Sequence, residues 1–372
     1  MPAANRLRSS FPATMGNVDV SGKFAWGEVT HAFGPADDVP GWISGLRDPV
    51  TAAECLGELY GSIAHQGTRY SATAPCVPYL VEAARDRAVM DRGGVVFLVH
   101  FCAMGYSGDW LDWRSQRDLQ VGPHERAAWD AVVAEHARLR GLLADSDRGL
   151  VGAALTVLAW TGDASTQVLT AIRAAVESAD ERDQGTGWLA SVVLGQLPPG
   201  VDAPVDLIQQ RGAGRFGAAA AAIRFAGAAA PPEAVDELCS IFASIEAGKA
   251  LTACEFLMPE IPERIAASAL SDVPAHLRAH TNAQLLTAIG RGFVLGTEPL
   301  GAYLRLNLGK PGRAGTAAAG LEEAQDVLRP LLGPLDSWGS APTMDHRIYE
   351  LEKYGLPGRR YQLAAWLRTN LP

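Results

Sequence analysis

Apolar residues recur at helical spacing through most of the chain. Between Pro49 and Tyr60, the residues Ala52, Cys55, Leu56, Leu59 and Tyr60 fall on one face of an amphipathic helix, and Pro49 suits its first turn. A second stripe, Val77, Leu80, Val81 and Ala84, predicts a helix that begins near Ala74. An apolar helix follows over Gly94–Met104. A longer one is predicted over Pro123–Ala144, with Ala128, Trp129, Val132, Val133, His136, Leu139, Leu142 and Leu143 on its inner face. Ahead of these, Lys23–Asp48 carries Trp26, Phe33 and Trp42 among Gly34-Pro35 and Val39-Pro40-Gly41 punctuation, and reads as short helices joined by fixed turns.

From Val151 the pattern repeats loosely, with a period of about 30 to 38 residues, the range of helical solenoids. Val151–Trp160 pairs with Gln167–Ser178, Gly187–Leu197 with Pro204–Gln210, and Phe216–Phe225 with Glu233–Ala247. Each pair joins a small-residue helix to one bearing Leu, Val or Ile, so neither helix hides its apolar side unless neighbouring pairs stack. Helical pattern continues over Leu251–Leu257, Glu260–Leu270, Ala283–Leu295, on to Leu308, over Leu321–Leu332, and after the Gly355–Gly358 turn. The expected fold class is therefore all-α: an α-solenoid of stacked antiparallel helix pairs of the HEAT-like kind. Its parts are a disordered lead-in (1–22), an N-terminal helical segment (23–148), HEAT-like repeats (149–335) and a C-terminal cap (336–372), in one continuous solenoid.

Composition narrows the function classes. Hydrophobic residues make up 48% of the chain, with alanine runs at Ala218–Ala222 and Ala317–Ala319 that favour closely packed helices. A formal charge of -9 sets a field that repels nucleic-acid backbone and anionic membrane. One local exception, Arg291, Arg305, Lys310 and Arg313 against Glu298, is what an alkylpurine-glycosylase-like DNA repair protein would need as a channel wall; its competing reading is a solvated face. Cys55, Cys76, Cys102, Cys239 and Cys254 form no CxxC pair and read as reduced thiols of a cytoplasmic protein. The apolar run Val95–Tyr106 is interrupted by His100 and falls short of the ~20 residues that cross a bilayer, so no membrane span is expected.

Two stretches concentrate chemistry. His65, Gln66, Thr68, Arg69 and Tyr70 sit at a Gly-permitted bend between two helices; they suit a contact loop, or else Gln66, Thr68 and Tyr70 satisfy backbone groups at the helix ends. Asp109, Trp110, Asp112 and Trp113 lie in the polar-aromatic stretch after Gly105, where two indoles with interleaved carboxylates suit an interface or a cation-binding wall, or else Trp110 and Trp113 pack down onto the solenoid while Asp109 and Asp112 stay in water. Other chemistry is thin. His276 and His280, at one-turn spacing, lack a third metal ligand, and His124-Glu125 with Glu135-His136 lies on different faces of one helix. Gly212-Ala213-Gly214-Arg215 lacks the third glycine and preceding strand of a phosphate loop. Asp180-Glu181-Arg182-Asp183 is an acidic run at a repeat end, more a solvated turn than a Mg²⁺ cluster. No metal or cofactor is expected.

The blocks His31-Ala32-Phe33-Gly34-Pro35-Ala36, with Asp38-Val39-Pro40, and Leu59-Tyr60-Gly61-Ser62-Ile63-Ala64-His65-Gln66-Gly67-Thr68-Arg69-Tyr70 resemble bacterial, especially actinobacterial, HEAT-repeat-domain proteins. The second block leads into Val77-Pro78-Tyr79-Leu80-Val81, and the resemblance covers about the first 100 residues. It implies a helical-repeat scaffold that binds a protein partner, in an immunity or regulatory setting. The alternative expectation is an enzyme of specialised metabolism that takes a small apolar substrate into the groove, with His65, Tyr70, Asp109 and Asp112 as acid-base candidates. Fold alone does not choose between them.

Overall fold

The computed structural model describes residues 24–105, 120, 122–207, 210–251, 261–291, 293–309, 325–336, 351–352, 354–357 and 360–370. Contacts divide the chain into two compact units, one of residues 1–108 with 115–163, the other of 109–114 with 164–372. The fold class is all-α. Among the described residues the strands are two-residue segments, β1 (Thr30–His31) and β2 (Gly34–Pro35), paired antiparallel with His31 opposite Gly34.

The first unit places α1 (Val39–Gly45), α2 (Ala52–Ile63), α3 (Thr73–Arg85), α4 (Arg92–Met104), α5 (Pro123–Ala134), α6 (His136–Arg140) and α7 (Arg148–Trp160) in chain order. The predicted stripes are buried, Ala52, Cys55, Leu56 and Leu59 on α2, with Tyr60 half-buried, and Val77, Leu80, Val81 and Ala84 on α3. Two helix starts are capped by Asp, with Asp91 accepting from the Gly94 N–H at 2.8 Å and Asp147 from the Leu150 N–H at 3.2 Å, whereas Asp38 before α1 makes no cap bond. Such caps contribute about 1 kcal/mol each. The helix expected over Pro123–Ala144 is instead three pieces: α5 ends at Ala134, α6 restarts at His136, and Gly141–Ala144 tightens to a 3-10 turn. At the break the Glu135 carbonyl accepts the N–H groups of Arg138 and Leu139.

The second unit opens with α8 (Thr166–Val176), α9 (Glu181–Leu194), α10 (Gly212–Phe225) and α11 (Pro232–Ser240). It continues through α12 (Ile245–Leu251), α13 (Ile261–Leu270), α14 (Arg278–Ile289), α15 (Phe293–Leu308), α16 (Gln325–Leu328), α17 (Leu332–Asp336) and α18 (Arg360–Asn370). The division between the units falls after Asp163, inside the first helix pair expected from sequence. The second expected pair lacks its second helix, because 201–207 is non-helical. Ala203 precedes Pro204, which disfavours helical backbone there, and Leu207 anchors the segment by burying its side chain.

α9 and α10 run side by side in the same direction. A Cβ on Gly185 would lie 2.8 Å from the Ala213 carbonyl oxygen, and one on Gly217 would lie 3.0 Å from that of Gly185. Glycine is therefore required at both positions for the two backbones to approach. The alanines Ala218–Ala222 beside them are fully buried. The chain then reverses, and Arg215 of α10 pairs with Glu237 of α11 at 2.6 Å.

Candidate functional site

The residues of the His65–Tyr70 bend lie at one end of the first unit, where α2 finishes and α3 begins. Hydrogen bonds tie the β1–β2 hairpin across that end. Ala32 N–H donates to the Ser62 carbonyl (3.1 Å), Ala72 N–H to the Thr30 carbonyl (3.0 Å), and Thr30 N–H to Ser71 Oγ (2.8 Å). Two blocks some thirty residues apart in sequence thereby share one surface.

The hairpin fixes the tautomer of His31. Phe33 N–H can only donate, so the Nδ1 it meets at 3.0 Å is an acceptor; the ring proton is on Nε2 and donates to Asp38 Oδ1 at 2.9 Å. His65 is fixed the opposite way. The Gly61 carbonyl can only accept, so Nδ1 donates to it at 2.8 Å, and Nε2, at a half-buried position, has no hydrogen-bond partner among the described residues. Between the two imidazoles stands Phe33, 59% exposed, its ring centroid 5.3 Å from that of His65 and 6.2 Å from that of His31. Trp42 continues the series at 5.6 Å from His31.

Beneath this surface lies a buried cation. The Arg69 guanidinium, with the residue only 7% exposed, donates to the carbonyls of Gly67 (2.6 Å) and Met104 (3.4 Å) and to Gln120 Oε1. Burial lowers its pKa, an effect that the Glu125 carboxylate opposes. Arg69 therefore grips both flanks of residues 106–119, and Gly105, at φ +57°, leaves the room its guanidinium occupies.

The bend sorts its own residues. Gln66 and Thr68 are exposed, Tyr70 is half-buried, and among the described residues their side chains form no hydrogen bond. The backbone groups at the helix ends are satisfied by His65, Arg69 and Thr73 instead, which corrects the expectation that Gln66, Thr68 and Tyr70 do so. Thr73 Oγ1 accepts from the Tyr70 N–H at 2.8 Å and donates to the Ile63 carbonyl. Gln66 adopts a left-handed backbone at φ 48°, a conformation that costs a residue with a Cβ about 1 kcal/mol. Asp109, Trp110, Asp112 and Trp113 lie outside the described residues. Sequence reasoning missed His31, Phe33, Asp38 and Trp42 as site residues. The available signal was a bulky aromatic set immediately before Gly34-Pro35, a place where a turn carries it to the surface.

Other candidates resolve into structure. His276 Nε2 bonds the Ala230 carbonyl at 3.0 Å and His280 Nε2 bonds Asp236 at 2.7 Å, so the two histidines pin α14 separately rather than converge. His136 bonds Thr161 Oγ1 at 2.7 Å while His124 is exposed on the preceding helix. Among the described residues no group of three or more His, Cys, Asp or Glu side chains could hold a metal ion. The Glu181 carboxylate sits at Gly212, the place a phosphate would need in that Gly-rich turn, and Asp180 accepts from the Arg182 N–H at 2.9 Å as a helix cap. Together with Arg182, Gln184 and Arg211 they line a polar cavity of about 450 Å³.

Cys55, Cys76, Cys102 and Cys239 are buried free thiols, and burial pushes Cys102 and Cys239 up to about 12, far from thiolate chemistry. Cys254, Lys310 and Arg313 lie outside the described residues, and among those described no helix is long and apolar enough to cross a membrane. No protein-family model, curated protein or solved structure matches this chain.

Proposed function

We propose that the chain is a cytoplasmic helical-repeat scaffold, its pairs stacked in the HEAT-like manner, which binds a protein partner through the hairpin end of its first unit. The observation that carries the binding reading is the exposure of Phe33 between two oriented imidazoles, beside an exposed Gln66 held in a left-handed backbone. A large aromatic left open on a rigid base is a common anchor of interfaces, and strain at an exposed side chain persists where it presents that side chain to something. Support for stacked repeats comes from α9 and α10. Gln184 meets Gly214 and Gly185 meets Gly217, an offset of about thirty residues between parallel helices, which is the stride of neighbouring repeats.

The enzyme reading would use the same half-buried His65 with Tyr70 and requires an apolar cavity facing them. The polar cavity beside α9 contains neither residue. The stretch with Asp109, Trp110, Asp112 and Trp113 is a separate contact proposal that rests on its composition. Affinity capture from cells of the source organism tests both, with wild type, Phe33→Ala and Trp110→Ala/Trp113→Ala as baits. Loss of a partner from either variant supports the corresponding surface. Identical partner sets for all three baits, or none for wild type, would overturn the binding reading.

A further inference from the structure

Among the described residues, the hairpin end is charged in one sense only. Between Phe24 and Leu46 the formally charged residues are Glu28, Asp37 and Asp38, all exposed, and no lysine or arginine interrupts them. Neighbouring cations are already engaged: Arg47 pairs with Asp86 at 2.7 Å, and Arg69 points into the core. This surface carries acceptors that are not filled. Asp38 uses Oδ1 on His31, its second oxygen has no partner among the described residues, and Nε2 of His65, the ring nitrogen that Gly61 does not engage, stands beside the Phe33 ring without a partner among the described residues. An open aromatic ring flanked by unfilled acceptors and carboxylates is complementary to a cation that is flat, weakly hydrated and rich in donors.

We propose that this surface recognises an arginine side chain presented by the partner protein, with the guanidinium stacked on Phe33 and its N–H groups directed to Asp38 and His65. This rests on the reading of the chain as a partner-binding scaffold and adds the chemistry of the partner's anchor. A guanidinium fits better than an ammonium because it stacks through its plane while donating along its edge, whereas lysine offers one compact, strongly hydrated charge. The acidic residues at the hairpin base extend the attraction to flanking basic residues and make it weaken with salt.

Short peptides of alternating glycine and arginine, glycine and lysine, or glycine and glutamate, titrated against the full chain by fluorescence anisotropy, test the proposal. The arginine peptide is expected to bind most tightly, with affinity that falls as salt rises. Phe33→Ala and Asp38→Asn are each expected to weaken it about tenfold. Because Phe33 is exposed, its removal leaves the thermal melt unchanged, and Asp37→Asn, which touches neither imidazole, provides a second charge variant. Equal affinity for the arginine and glutamate peptides, no binding of any, or an unchanged affinity in Phe33→Ala would overturn the arginine anchor. The scaffold reading fails separately: it falls when wild type captures no partner or when all baits capture identical sets, and it stands, whatever the peptides do, when Phe33→Ala loses a partner that wild type captures.

Discussion

The hairpin end of the first unit and the α9–α10 seam of the second both depart from ordinary amphipathic helix, in opposite directions. At the seam every departure removes side-chain volume: Gly185, Gly217 and the alanines after it let two parallel backbones touch, and the residues that do so are buried. At the hairpin end the departures add side chains that packing does not consume, including an exposed Phe33, a half-buried His65 whose Nε2 has no partner among the described residues, and an exposed Gln66 at positive φ. A sequence rich in Gly and Ala and poor in polar oddities is describing its own packing. One that spends aromatic and imidazole groups on a surface is describing a contact.

The largest effect should come from filling the seam. Gly185→Leu drives a side chain into the Ala213 backbone, which cannot rotate away, and is expected to lower the unfolding free energy by about 4 kcal/mol in urea. Next is the buried cation under the hairpin end. Arg69→Met leaves the Gly67 and Met104 carbonyls and the Gln120 side chain without their donor and is expected to lose about 3 kcal/mol. Arg69→Lys should not restore it, because one ammonium cannot reproduce the guanidinium fork. If Arg69→Met instead unfolds like wild type, the rigid base of the contact surface is not built as described.

Stability should also depend on pH through His100, which is 3% exposed with Nδ1 unpartnered, and which burial pushes down to about 4. The folded chain keeps this ring neutral while the unfolded chain protonates it near 6.5, so the unfolded state binds more protons as pH falls between those values. Stability is then present above the unfolded pKa and is lost on acidification, by about 2 kcal/mol at roughly pH 5. Urea titrations of wild type and His100→Leu should diverge in this window, with the variant flat; parallel curves would remove His100 as the cause. Smallest is Gln66→Gly, which relieves the left-handed backbone and is expected to raise stability by about 0.5 kcal/mol. A loss of stability there would place Gln66 in the packing rather than on the contact surface.

Local periodicity was enough to find α2, α3 and α4, because the stripes through Leu59, Val77 and Leu80 depend only on residues within one helix. It could not find the hairpin, whose strands are two residues each and are held by partners at Ser62, Ser71 and Ala72. Nor could it foresee that 201–207, with Pro204 in it, is non-helical, where an apolar pattern alone reads as helix. Of the site, the sequence located His65, Gln66, Thr68, Arg69 and Tyr70 but not the division of labour among them. Whether Arg69 faces solvent or supplies a buried cation depends on Met104 and Gln120, which no local pattern brings near.

Exposed apolar residues also occur at the far end of α2 and α3, where Val50 is 86% and Met90 58% exposed and Met90 is tied to Leu46 by its N–H. They make an internal control for the central claim, since exposure alone would give both ends equal standing. The decisive measurement is quantitative affinity capture from the source cells with Phe33→Ala and with Val50→Ala/Met90→Ala, after matching thermal melts establish that both are folded. The account predicts that Phe33→Ala loses the partner at least about tenfold while Val50→Ala/Met90→Ala retains it at the wild-type level. A partner kept by Phe33→Ala and lost by Val50→Ala/Met90→Ala would contradict it.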